Sequence, residues 1–282
     1  MATPIIPDAT VPEFVLGRAH LRGDKRAPVD ASTGRQLTYA ELAVAVRAAG
    51  AWLAASGVRA GDVLALCAPN SIEFVLTWYA ASSIGAVVTT VNPISADREI
   101  AGQLRLSQAH WLVTTAELAL GKLQKAARTA EVVETFIVGP GAEAAPFASR
   151  LDWRYLGGMA KAPVVEASQF DVASLAPSSG TTGLPKLAVL THRSLVAGVC
   201  QIGFAEPVDE DDLVVAALPL FHIFAQQTTM HPALRQGATL VILPRFDPGA
   251  FLRAIADYGV TRGYVATAAR AAATPVLLQH AS

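Results

Sequence analysis

Between Thr38 and Val265, short β-branched runs alternate with segments whose apolar residues recur at helical spacing. This order constrains the chain more than any other feature, because parallel strands need a long crossover and a helix is the usual one. The expected strands are residues 63–67, 86–91, 111–114, 135–138, 172–176, 186–190, 213–218, 238–243 and 261–265. The expected helices cover 38–55, 70–83, 97–107, 118–130, 194–203 and 247–258. Local chemistry marks several ends. Thr38-Tyr39-Ala40-Glu41 reads as a capping box, and Asn70 to Glu73 repeats that logic. Gly57 supplies a left-handed stop, and Asp247-Pro248 pairs a cap with proline at the first helical position. Residues 139–166 carry no such pattern and read as a connection. The expectation is an α/β fold of two parallel-rich sheet subdomains, residues 1–166 and 167–282, the second incomplete at its C-terminal end.

Sheets covered on both faces need apolar strands, and 52% of the residues are hydrophobic against 16% charged. That composition excludes disorder. Lys and Arg number 22 and Asp and Glu 23, so no net field attracts nucleic acid or an acidic membrane. An anionic ligand must be held by a local arrangement. Residues 74–92 contain no charge, a length that could span a bilayer. Ser82, Ser83, Gly85 and Asn92 interrupt the run, and its pattern changes from helical to β-branched, so a buried helix followed by a buried strand is expected. Cys67 and Cys200 have no second ligand nearby and fit neither a disulfide framework nor a zinc site. With no basic and apolar leader at the start, the expectation is a reduced, cytoplasmic protein.

Chemistry concentrates in Pro177-Ser178-Ser179-Gly180-Thr181-Thr182-Gly183-Leu184-Pro185-Lys186. Four hydroxyl side chains stand in five residues, Gly180 and Gly183 permit positive φ, and Lys186 adds a cation. Successive backbone N–H groups in such a turn converge on an anion, and a polyphosphate offers the matching density of acceptors. The stretch follows an expected strand, where α/β folds place ligands. It is not a Walker A loop, because Leu184-Pro185 separates Gly183 from Lys186. The plainer alternative is a Ser/Gly-rich surface turn, which the order of ten residues and the apolar strand after Lys186 disfavour.

This loop, followed by Leu190-Thr191-His192-Arg193, resembles the signature of the adenylate-forming (AMP-binding) enzymes. Leu218-Pro219-Leu220-Phe221-His222-Ile223-Phe224 is similar to that family's next motif. Cys67-Ala68-Pro69-Asn70-Ser71-Ile72-Glu73-Phe74 and Val91-Asn92-Pro93 fit its opening region, most like the 4-coumarate–CoA ligase group. The resemblance implies ATP, Mg2+ and CoA as cosubstrates of a carboxylic acid, in two steps. The carboxylate attacks the α-phosphate of ATP and expels pyrophosphate, and the CoA thiol then displaces AMP. It further implies that Ser178, Ser179, Gly180, Thr181, Thr182, Gly183 and Lys186 hold the β- and γ-phosphates. By the same likeness His222 lies beside the carboxylate, Phe224 and Thr228 line the acid pocket, and Arg245 faces CoA. Judged without the motif, His222 and Phe224 are ordinary core residues of an apolar run and Arg245 a solvated strand end.

Compared with the family, the sequence lacks the Tyr-Gly-x-Thr-Glu segment, the ribose-binding aspartate and the C-terminal domain with its lysine. The tail from Ala266 to Pro275 also loses the family pattern, as a shifted or shortened reading frame would. Weak or absent turnover is therefore expected of this chain, with a non-catalytic remnant or a nucleotide- or partner-binding module as the alternative. Self-association through uncovered apolar surface is expected too.

Overall fold

The computed structural model describes residues 4–141, 149–151, 165–178 and 186–265. Helix α1 (Val11–Leu16) is capped by Thr10, and β1 (Arg26–Asp30) and β2 (Gln36–Thr38) pair antiparallel. Then follow α2 (Tyr39–Ala55), β3 (Val63–Cys67), α3 (Ile72–Ser83), β4 (Val87–Thr90), α4 (Asp97–Leu106) and β5 (Trp111–Thr115). Short helices α5 (Ala116–Leu118) and α6 (Gln124–Thr129) precede β6 (Glu134–Val138), β7 (Ser149–Leu151) and β8 (Val172–Ser178). Next come β9 (Lys186–Thr191), α7 (His192–Ala205) and β10 (Leu213–Ala216). The described chain closes with α8 (Ile223–Ala225), α9 (His231–Gln236), β11 (Thr239–Ile242), α10 (Pro248–Tyr258) and β12 (Arg262–Gly263).

Two sheets result. One has seven strands in the order β7-β6-β5-β3-β4-β8-β9, parallel except for the antiparallel β8–β9 pair. The other has five, in the order β12-β10-β11-β1-β2, parallel except for β1–β2. The chain therefore forms the two parallel-rich sheets that its alternating pattern implies. The division at residue 166 does not separate them, however. β8 and β9 complete the sheet begun by the first half, and β1 and β2 complete the sheet of the second. Parallel pairing next to β4 and next to β11 covers edges that would otherwise be exposed, and those contacts override the sequence gap.

Helices α2 and α3 form the layer between the sheets. α3 packs on β3 and β4 of one and β1 of the other, and residues 72–82 are buried on every side. This explains the uncharged run at 74–92: α3 and then β4 are both interior elements. Among the described residues no helix is long and apolar enough to cross a membrane. α2 touches β1 and β2, and its Trp52 ring meets Phe136 of β6 edge-on at 4.8 Å. Thr38 and Glu41 form the expected capping box, with N–H to side-chain distances of 3.2 and 2.8 Å. Gly57 has φ +110° and lies against Trp111 so closely that a Cβ would come within 3.0 Å of the ring.

Three local expectations need correction. The cap of α3 is Ser71, whose Oγ accepts from Phe74 N–H at 3.0 Å, and Asn70 is engaged elsewhere. The helix expected at 118–130 is broken into α5, a π-type turn at Ala119–Leu123 and α6, because Gly121 leaves helical geometry at ψ −121°. The connection at 139–166 contains β7, an edge strand too short to show periodicity. The tail from Ala266 lies outside the described residues.

Candidate functional site

Strands β3, β4 and β5 of one sheet and β10 and β11 of the other end at one crevice. Its walls are Pro69 and Asn70 after β3, Pro93 and Ile94 after β4, and Thr115, Glu117 and Leu118 at and after the end of β5. Across from them stand Ala217, Pro219 and Phe221 after β10, and Pro244, Arg245 and Phe246 after β11. It encloses about 480 Å3. A crevice outside the carboxyl ends of parallel strands is where open α/β sheets bind ligands, because strand ends leave unpaired backbone groups and loops free to vary. The walls are mainly apolar, with Arg245 and Glu117 as the charged groups.

The lip of this crevice is residues 218–224, and it is fastened by side chains from other elements. Asn70 donates from Nδ2 to the carbonyls of Ala216 (3.3 Å) and Leu218 (2.9 Å) and accepts from Leu220 N–H at 2.7 Å. Thr90, the last residue of β4, donates to Phe221 O at 2.6 Å. Gln226 Nε2 donates to Leu220 O at 2.8 Å. His222 then caps α8: its Nδ1 accepts from Phe224 N–H at 3.2 Å. With Nδ1 accepting, the neutral ring carries its proton on Nε2, so the exposed edge of His222 offers a donor.

The hairpin β8–β9 stands beside this lip. β8 pairs parallel with β4, so its C-terminal end leaves the sheet at the same edge as Thr90. Ser178 and Lys186 are cross-strand partners, and they bring the two ends of the glycine-rich stretch together. Both are exposed. Ser179, Gly180, Thr181, Thr182 and Gly183 lie outside the described residues.

The family model for AMP-binding enzymes matches residues 17–276. The chain belongs to the AMP-binding enzyme family. Among its relatives are 4-coumarate–CoA ligase 5 of Oryza sativa subsp. japonica, 33% identical, and 4-coumarate–CoA ligase 3 of Arabidopsis thaliana, 32% identical. Each alignment covers 91% of this chain, with 48% and 47% of the relative. The chain thus spans about half the length of the curated relatives it matches. The inhibitor-bound N-terminal domain of FACL13 from Mycobacterium tuberculosis superposes with a TM-score of 0.81 at 27% identity, covering 92% of this chain and 63% of that one. The long-chain-fatty-acid-CoA ligase FadD1 of Archaeoglobus fulgidus shares the fold, with a TM-score of 0.85 at 22% identity over 99% of this chain and 56% of its own.

Within the AMP-binding fold, the residues singled out from sequence fall into three places. Ser178 and Lys186 close the hairpin. His222 and Phe224 sit on the lip, with Phe224 53% exposed, so neither is the core residue that an apolar run alone would imply. Arg245 lines the crevice. Thr228 is buried, and its hydroxyl donates to Phe224 O at 2.8 Å. Its hydrogen is therefore committed to the helix, and what it can offer a ligand is shape and a lone pair. Sequence reasoning missed Asn70 and Thr90, which hold the lip. Asn70 was visible only as a cap candidate, and Thr90 as one more β-branched strand residue.

Three further ionisable groups are buried. His192 follows β9, is buried, and accepts from Val11 N–H through Nδ1 at 3.0 Å; burial lowers its pKa. His231 is wholly buried against Trp78 and pairs with Tyr79 OH at 2.7 Å; burial pushes its pKa down to about 3. Burial pushes the Cys67 thiol up to about 12, which keeps it protonated and unreactive. Among the described residues no group of three or more His, Cys, Asp or Glu converges as a metal set would.

Proposed function

We propose that this chain carries the phosphate loop and crevice of an AMP-forming carboxylate–CoA ligase, with ATP, a carboxylic acid and CoA as substrates. The observation that carries the reading is the β8–β9 hairpin. Its Ser/Thr/Gly loop is closed by the Ser178–Lys186 pair at the sheet edge from which Thr90 reaches the His222 lip. In this reading Ser178, Ser179, Gly180, Thr181, Thr182 and Gly183 present hydroxyl and backbone N–H donors to the β- and γ-phosphates. Lys186 neutralises charge that grows on the pyrophosphate as it leaves. His222 Nε2–H donates to the carboxylate of the acid and aligns its oxygen for attack at the α-phosphate. Phe224 and Thr228 shape the acid pocket. The acyl-adenylate then meets the CoA thiol, with AMP as the leaving group. The crevice suits the approach of CoA, since an apolar channel accepts its slender chain and Arg245 meets its phosphates. Mg2+ would shield the phosphates when bound.

Two thiols and no metal-type cysteine pairing suit a reducing, cytoplasmic setting. Val189, exposed on the outer strand β9, supports self-association.

The test is carboxylate-dependent exchange between ATP and labelled pyrophosphate on residues 1–282, with coumarate, benzoate and octanoate as acids. Exchange that needs an acid and vanishes in Lys186→Ala supports adenylation. Exchange that survives Lys186→Ala, or proceeds without acid, overturns the assignment of the loop. ATP binding with no exchange would make this chain a nucleotide-binding module without turnover.

A further inference from the structure

We infer that Asn70 is the positioning residue for His222, acting as a latch between the two sheets. This rests on the site reading above but concerns a residue to which that reading gives no role. Asn70 stands three residues past the end of β3, in the seven-stranded sheet, and is 4% exposed. Every partner of its amide belongs to the end of β10, in the five-stranded sheet, or to the segment leaving it.

The pattern of those bonds matters. The carboxamide accepts one N–H, from Leu220, and donates to two carbonyls, of Ala216 and Leu218. It therefore behaves toward residues 218–220 as a neighbouring strand would, in a stretch that has left its own sheet. Ala216 O also accepts from Leu243 N–H at 3.2 Å, so what the lip loses without Asn70 is the partner of Leu218 O and of Leu220 N–H, and a buried backbone group without a partner is costly. Two further side chains continue the arrangement: Thr90 on Phe221 O and Gln226 on Leu220 O. His222 follows directly, with its own N–H donating to Pro219 O at 3.0 Å. Its ring orientation depends on the Phe224 N–H, which Nδ1 accepts only if the backbone turns here. The latch thus sets which nitrogen of His222 carries the proton. Asn70 itself also lines the crevice, so it couples the width of the channel to the placement of the histidine.

The experiment uses the full chain and does not need turnover. Hydrogen exchange is followed in the peptide covering 218–224, and the His222 tautomer by ring carbon shifts, assigned with His222→Gln. Asn70→Leu keeps size and removes all three bonds; Thr90→Val removes one bond at nearly constant shape and guards against an unfolded Asn70 variant. The expected result for Asn70→Leu is exchange at 218–224 faster by about tenfold, the scale of a lost buried hydrogen bond. The His222 Nε2–H form should also give way to a mixture, while peptides from β4 and β5 keep their protection. Thr90→Val should show the same direction with a smaller change. Unchanged exchange at 218–224, or an unchanged tautomer in either folded variant, would overturn the inference. So would loss of protection spread evenly through β3, β4 and β5. Because neither readout involves ATP or acid, the latch can stand while the ligase reading falls, or fall while it stands.

Discussion

The lip at 218–224 and the hairpin β8–β9 flank the same edge, yet they are held by different means. The lip is irregular backbone fastened by buried side chains drawn from β4 and from the links beside it. The hairpin is regular backbone, fastened by its own ladder, and its outer strand is largely open: Val189 is 63% exposed and Lys186 is exposed. A histidine that must present one nitrogen to a carboxylate gains from a fixed backbone. A loop that wraps phosphates gains from glycine, hydroxyls and freedom to close. In the proposed reading, catalytic geometry and phosphate capture thus place opposite demands on neighbouring segments.

The contrast is broken most easily by deleting side chains on each side of it. Leu220, fully buried in the lip, should cost about 2–5 kcal/mol as Leu220→Ala, measured by urea denaturation. A cost below about 1 kcal/mol would show that the lip is not part of the core. Next in size is acid lability behind the lip, where His231 is buried neutral. A depressed folded pKa means that the unfolded chain binds more protons below pH 6.5, so stability is complete above 6.5 and falls as pH drops toward 3. By pH 4.5 the loss should approach about 3 kcal/mol, at about 1.4 kcal/mol per pH unit. His231→Leu should flatten that part of the profile, leaving a smaller slope from His192, whose pKa is lowered in the same sense. A profile as steep in His231→Leu as in the native chain would refute the assignment. The hairpin should respond least. Val189→Lys should change stability by under about 0.5 kcal/mol. It should nonetheless shift light-scattering mass toward the monomer, because a charge on an open edge strand opposes strand-to-strand pairing. A drop in stability like that of Leu220→Ala would mean that the hairpin is packed as firmly as the lip.

The same contrast explains what could be read from sequence. The two strands and the loop between them were legible because their signals are local: hydroxyls, glycines and Lys186 stand within ten residues, whereas the antiparallel pairing of the strands and the sheet they join were not. Interior strands were legible from β-branched runs, and the cap at Thr38 from four adjacent residues. The lip was only half legible. Its motif marked His222, but its support comes from Asn70 and Thr90, which lie 152 and 132 residues away in the chain. No periodicity reports a contact at that separation, and Asn70 next to Ser71 looked like a helix cap. The division of strands between sheets was hidden for the same reason. β1 and β8 join sheets begun elsewhere, and pairing across such distances is decided by edges that only the fold creates.

In the proposed function the hairpin loop, closed by Ser178 and Lys186, holds the phosphates of ATP. Titrating ATP into native chain and Lys186→Ala, with melting curves to confirm equal stability, tests it directly. The account predicts saturable binding near millimolar strength, about −4 kcal/mol, and a loss of about tenfold or more in the variant. Equal affinity in both proteins, with both folded, would contradict it.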